Sequence, residues 1–200
     1  MATSYRPLPV TPLPKGATYH RPRHHPPDHV SLDDPAIRAM TDLDQVYAVT
    51  ITPETLVVDA NQHMIANQVR LLLVVGAGAN NSVIGLITAT DVLGEKPLLC
   101  ARAAGITRGE VTVGEIMTPT DQLKVMQLVD VAHARVGDIV ASLEKSGRQH
   151  AVVIDIDHGT LRAAVRGIFS ATQISRQLGI AVEPSTRATT FAEVEHALSS

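Results

Sequence analysis

Apolar and polar positions along the chain fall into two similar series. "LLLVV" (71–75) and "SVIGLIT" (82–88) are apolar runs parted by Gly and Asn at 76–81; "HAVVIDI" (150–156) and "AAVRGIFS" (163–170) are parted by "DHGT" at 157–160. Short apolar runs bounded by such residues predict strand hairpins. Strands apolar at nearly every position predict a sheet covered on both faces. Ahead of the second hairpin, Val136, Ile139, Val140 and Leu143 recur at i, i+3, i+4 and i+7, with Gly147 where a helix would stop. Ahead of the first, Val57, Ala60 and Met64 form a thinner stripe. "YAVTI" (47–51) and "KVMQLV" (124–129) predict a strand before each helix, and "ATDVL" and "ATQIS" open a closing helix. Each series therefore reads strand, helix, strand, strand, helix.

The series are also related residue by residue. "MTDLDQVYAV" (40–49) matches "MTPTDQLKVM" (117–126), and "GLITATDV" (85–92) matches "GIFSATQI" (167–174). A repeat of this length, present twice, is too long for a solenoid unit. It predicts two similar units packed about a pseudo-twofold axis, the first at 31–110 and the second at 111–180. "TVGE" (112–115) has capping-box spacing and predicts a short helix ending near Met117. Thr190 and Glu193 repeat that spacing, and Phe191, Val194 and Leu198 make one apolar stripe, so 181–200 reads as a tail with a short helix. Residues 1–30 hold seven of the twelve prolines and read as an extended or disordered arm. His20, His24, His25 and His29 in and beside it read as a solvated tail without a scaffold for a metal.

Composition narrows the function classes. The net charge of −3 lacks the basic excess of a nucleic-acid binder, and 2% aromatic residues leave few stacking platforms. The lone Cys100 can form neither an internal disulfide nor a thiolate cage, which predicts a reducing compartment. No apolar run reaches spanning length and no leader pattern opens the chain, so a cytoplasmic protein without membrane contact is expected. No GxSxG, HExxH or Walker-type loop occurs. "GAGANN" (76–81) lacks the Lys-Ser/Thr ending of a phosphate loop and reads as a hairpin turn. An enzyme is not expected.

The duplicated Met-Thr start, "ITPETLVVDA" (51–60), "GEIMTP" (114–119) and the ends "GLITATDV" and "GIFSATQI" resemble, in order and spacing, a tandem CBS-domain pair, or Bateman module, from about Met40 to Gly179. The chain departs from that pattern where Leu73 and Val152 replace the proline of the second strand in each copy. The resemblance implies an α/β fold of the α+β type, two β-α-β-β-α units with two related clefts, and pairing of modules into a homodimer. It also implies binding of AMP, ADP, ATP or S-adenosylmethionine, with no cofactor required and no catalysis, and signalling to a partner protein whose identity is unknown.

By the same resemblance, one cleft would use Thr88, Thr90, Asp91 and Leu86 together with Met126, Gln127, Leu128, Arg148 and His150. The other would use Ser170, Thr172, Gln173 and Ile168 with Tyr47, Ala48, Val49, Val69 and Arg70. The chemistry fits. A carboxylate can accept both hydroxyls of a ribose, hydroxyls and a helix start can hold phosphate, and an apolar slot can hold a purine. On residue types alone, Thr and Asp at this place read as a helix cap, and it is the resemblance that assigns Asp91 to a ligand. Taken separately, Met126, Leu128 and Val49 read as core. Gln173 in place of an aspartate predicts unequal clefts, with that of Asp91 favoured. A ligand-free dimerisation scaffold is the alternative function, and a weak nucleotide hydrolase a third.

Overall fold

The computed structural model describes residues 29–77, 82–157 and 162–182. The prolines at 7–27 and the proposed C-terminal helix lie outside them. In chain order the strands are β1 (Thr41–Asp42), β2 (Thr50–Ile51), β3 (Leu71–Val75), β4 (Val83–Thr88), β5 (Thr118–Pro119), β6 (Val125–Gln127), β7 (His150–Asp157) and β8 (Arg162–Ser170). The α-helices are α1 (Val57–Ala66), α2 (Ala89–Leu93), α3 (Lys96–Ala104), α4 (Val113–Ile116), α5 (Leu128–Val131), α6 (Val136–Ser146) and α7 (Ala171–Leu178). Short 3-10 turns cover Ala36–Ala39, Arg108–Glu110 and Thr120–Gln122.

Two four-stranded sheets form, in the orders β2-β3-β4-β5 and β1-β8-β7-β6. Each takes its outer strand from the other repeat. Thr41 and Asp42 pair antiparallel with Ile168 and Gly167. Thr118 and Pro119 pair in the same way with Leu86 and Gly85. The exchange extends upstream: Val136 N–H donates to Asp34 O at 2.9 Å and Ala36 N–H to Ala134 O at 2.9 Å, while Val113 N–H donates to Thr55 O at 2.8 Å and Val57 N–H to Val111 O at 2.9 Å. The lead segment of each repeat thus docks in front of the other repeat's first helix, and the two units cannot separate without losing edge strands.

Three apolar clusters follow. Alternate residues of β3 divide between two of them, as strand pleating requires. Leu72 and Val74 join Val57, Ala60, Met64 and Ile87 under the first unit's helices, together with Val111, Val113 and Ile116 of the exchanged segment. Leu71 and Leu73 face Leu86 and Val152 between the sheets. The second unit's core gathers Val136, Ile139, Leu143, Val153, Phe169 and Ile174, with Ala36, Ala39 and Met40 from the first lead segment. Leu73 and Val152, which replace the family's prolines, both lie at the sheet–sheet contact.

The glycines that open both repeat ends have a packing reason. A Cβ at Gly85 would stand 2.6 Å from the Thr118 carbonyl oxygen and 2.9 Å from Met117 Sδ; at Gly167 it would stand 2.6 Å from Met40 Cγ. Each Met-Thr start therefore lies on the other repeat's glycine. The Gly85 clash is with backbone, which cannot rotate away. Gly85→Val is expected to push β5 off β4 and lower the unfolding free energy in urea by about 1–3 kcal/mol. An unchanged midpoint would contradict the exchanged pairing.

Most predicted elements form within a residue or two, including the capped helix at 113–116 and the stop at Gly147 (φ 64°). Two leading strands are shorter than predicted. "YAVTI" contributes only Thr50–Ile51, and Tyr47 is fully exposed. "KVMQLV" contributes Val125–Gln127 before turning into α5. α3 was not separated from the helix opening at "ATDVL"; a break at Gly94–Glu95 divides them.

Candidate functional site

Two clefts lie between the repeats, each walled by the strand-to-helix end of one repeat and the approach to the second strand of the other. The first, about 280 Å³, is lined by Leu86, Thr88, Thr90 and Asp91 of one repeat and by Gly147, Arg148, Gln149, His150 and Val152 of the other, with Thr118, Leu123 and Lys124 at its edge. The second, about 360 Å³, is lined by Ile168, Ser170, Thr172, Gln173, Arg176 and Gln177 on one side and by Gln68, Val69 and Arg70 on the other, with Thr41. Leu71 and His150 line both clefts. They occupy matching places at the starts of β3 and β7, next to the pseudo-axis.

Six of the nine residues expected in each cleft are brought together: Leu86, Thr88, Thr90, Asp91, Arg148 and His150 in the first, and Ile168, Ser170, Thr172, Gln173, Val69 and Arg70 in the second. The remaining three of each set do not line a cleft. Met126 and Leu128 pack against the second core, Val49 against the first and Ala48 against the sheet–sheet cluster, while Gln127 and Tyr47 are exposed. The cause is local. After β6 the chain turns into α5, and Leu128 at its start packs against the second core. Thr118, Lys124, Gln149, Arg176 and Gln177 are lining residues that sequence reasoning missed. Thr118 could have been found from the repeated Met-Thr pair, once it is known that the lead strands exchange.

Asp91 makes the cap and also has a charged partner. Its Oδ2 accepts from Thr88 N–H at 2.9 Å and from Thr88 Oγ1 at 2.6 Å, and Asp91 N–H donates to Thr88 Oγ1 at 3.3 Å. Its Oδ1 meets Lys96 Nζ at 2.6 Å. The Lys96 side chain is half exposed (50%) and Asp91 is mostly covered (12%), so the pair is held from the solvent side. With the lysine half in solvent, water screens the pair, and it contributes on the order of 1 kcal/mol. Lys96 can therefore yield Oδ1 to a competing donor, while Oδ2 stays committed to the cap.

In the second cleft, the Gln173 amide oxygen accepts from Thr41 Oγ1 at 3.2 Å, and its buried Nε2 has no partner. The buried His150 Nδ1 also has none. Burial holds the His150 imidazole down to about 4, with the nearby Arg70 charge adding to the fall and Asp91 opposing it. At neutral pH this shared residue is uncharged, so one ring nitrogen can accept and the other donate. Deeper in the second sheet, Arg166 pairs with Asp42 across the exchanged strand and reaches Asp44 Oδ2 at 3.5 Å. Among the described residues no group of three or more His, Cys, Asp or Glu could hold a metal. No helix there is long and apolar enough to cross a membrane.

The fold and its clefts define a class: a duplicated α+β module with two equivalent grooves between its repeats. Residues 40–97 match the family model of the CBS domain. With the second repeat folded in the same order and register, the chain has the fold of a tandem CBS-domain pair, or Bateman module. An uncharacterized conserved protein from Pyrococcus horikoshii shares the fold, at TM-score 0.51 and 19% identity over 72% of this chain and 92% of that one. CBSX2 in complex with AMP matches at TM-score 0.49 and 20% identity, over 72% and 94% of the two chains. A CBS-domain containing protein from Agrobacterium tumefaciens matches at 0.47 and 20%, over 68% and 88%. No curated protein sequence matches the chain.

Proposed function

We propose that this CBS pair is a regulatory sensor that binds an adenosine nucleotide between its repeats and passes the binding state to a partner protein, without chemistry of its own. One observation carries the reading: each cleft joins strand-end hydroxyls of one repeat to the residues before the second strand of the other. A ligand held there touches both repeats and stabilises one relative placement of them, provided it binds that placement more tightly. In the first cleft, Leu71, Leu86, Leu123 and Val152 offer an apolar slot for a purine, Asp91 Oδ1 an acceptor for the ribose, and Thr90 a hydroxyl for phosphate, while the Thr88 hydroxyl stays in the cap with Asp91. Partner contact and pairing into a homodimer would use the apolar surface left by Ile65, Leu93 and Leu99, each more than half exposed. A cytoplasmic setting suits such a sensor.

Titration calorimetry with AMP, ADP, ATP and S-adenosylmethionine tests this. Asp91→Asn keeps a cap acceptor but removes the charge. It is expected to weaken binding at that cleft about tenfold, the lower end of a charged hydrogen bond's worth because Lys96 must be displaced. The full engagement of both Asp91 oxygens favours a second reading, a ligand-free dimerisation scaffold. No heat with any of the four compounds would establish that reading against the sensor.

A further inference from the structure

The two clefts have the same plan but differ in charge. Asp91 puts a carboxylate in the smaller one, where Lys124 and Arg148 come from a single repeat. Among the described residues no carboxylate lines the larger, where Gln173 stands at the matching place and two arginines, Arg70 and Arg176, come from opposite repeats. Neither arginine is in an ion pair among the described residues. Arg176 matches Gly94 of the first repeat, so its charge has no counterpart in the other cleft. The rest of the wall is rich in donors. Gln173 is tied to Thr41 through its oxygen, which leaves the buried Nε2 as an unused donor. Ser170 and Thr172 add hydroxyls, and the eight-residue helix α7 begins between them. A buried donor without a partner is costly, and a ligand oxygen would recover that cost. Guanidinium groups on two walls match a chain of phosphate oxygens better than a single one.

We propose that the larger cleft is a site for a polyphosphate chain, with Arg70 and Arg176 as its charge partners, so that nucleoside di- and triphosphates are selected there over monophosphates. Identifying the nucleoside part rests on the function proposed above; the phosphate-chain site does not. Binding of a polyanion would draw Arg70 of one repeat and Arg176 of the other to a common charge, which gives this cleft its leverage on their relative placement.

The test is calorimetry of the full chain with inorganic tripolyphosphate, ATP and AMP, on wild type, Arg70→Gln, Arg176→Gln, Arg148→Gln in the other cleft and, as a surface-charge control, Arg102→Gln. Both cleft arginines and Arg102 are exposed, so folding is not at stake. Tripolyphosphate is expected to bind alone and ATP to bind at least about tenfold more tightly than AMP. Arg70→Gln and Arg176→Gln should each weaken tripolyphosphate and ATP by about tenfold, and Arg102→Gln should weaken neither. Tripolyphosphate binding that needs both arginines, with ATP no tighter than tripolyphosphate, would keep this site and remove the nucleotide reading. ATP binding unaffected by either arginine would keep the nucleotide reading and overturn this site. Loss on Arg148→Gln in place of Arg70→Gln or Arg176→Gln would overturn it as well, by moving the phosphate chain to the other cleft.

Discussion

Phe169→Ala is expected to lower the unfolding free energy by about 3–5 kcal/mol, the range for removing a fully buried aromatic ring. Phe169 has no exposed surface and lies in β8 beneath α6 and α7, among Met40, Leu143 and Ile174. The first repeat has Ile87 at the matching place, also fully buried. That pairing sharpens the expectation. Ile87→Val removes one methylene and should cost about 0.5–1.5 kcal/mol, whereas Phe169→Ala leaves a cavity that the neighbouring helices can close only in part. Because each sheet holds an edge strand of the other repeat, the loss should lower the stability of the whole module. Urea unfolding followed by circular dichroism should therefore show one transition at a lower midpoint. A Phe169→Ala protein that melts in two steps, with the first repeat unaffected, would contradict the exchanged architecture.

The second large effect is acid sensitivity through His150. Burial lowers its pKa from 6.5 to about 4 in the folded chain, with Arg70 adding to the fall and Asp91 opposing it. Above pH 6.5 the imidazole is neutral in both folded and unfolded chains and has no influence on the pH dependence. Between 6.5 and about 4 the unfolded chain binds a proton that the folded chain refuses, so stability falls as the pH falls. Below about 4 both forms are protonated and the loss is complete. Integrated over that window, the loss amounts to roughly 3 kcal/mol. His150→Leu places at the start of β7 the residue type that Leu71 supplies at the start of β3, and removes the titrating group. Unfolding free energies measured from pH 7.5 to pH 4 should fall less steeply in this variant than in wild type, by that amount over the window. Parallel curves would show that His150 is not buried at the pseudo-axis.

Much of this fold was legible in the sequence, because its strongest signals are local and occur twice. The hairpin strands, the apolar stripe of Val136, Ile139 and Leu143, and the Thr112–Glu115 cap each depend on residues a few positions apart. Duplication let one copy support the other. The leading strands were overread because an apolar run such as "KVMQLV" has no period that separates a strand from a turn of helix. The break before α3 went unseen although Pro97 near its start and Gly105 at its left-handed end mark the helix. Its Leu98 and Leu99 face outward and so give no apolar stripe toward the core.

The exchange of lead segments was illegible for a different reason. It depends on contacts between residues far apart along the chain, more than a hundred positions for Asp42 with Arg166 and Met40 with Gly167, and more than thirty for Gly85 with Thr118. The candidate clefts were legible to the same extent. "TATD" and "SATQ" mark one wall of each, and both sets line the clefts. The opposite wall was partly missed because the residues before β3 and β7 supply it and those of the leading runs do not. The charge contrast between the clefts needed Arg176, which stands outside every repeated motif.

The most direct test of a nucleotide seated between the repeats is diffraction from crystals of the full chain grown with ATP. The account predicts ATP bound between the repeats, touching both, and in the larger cleft its phosphate chain between Arg70 and Arg176. Nucleotide bound only on the outer helical faces, or both clefts without it at saturating ATP, would contradict the account.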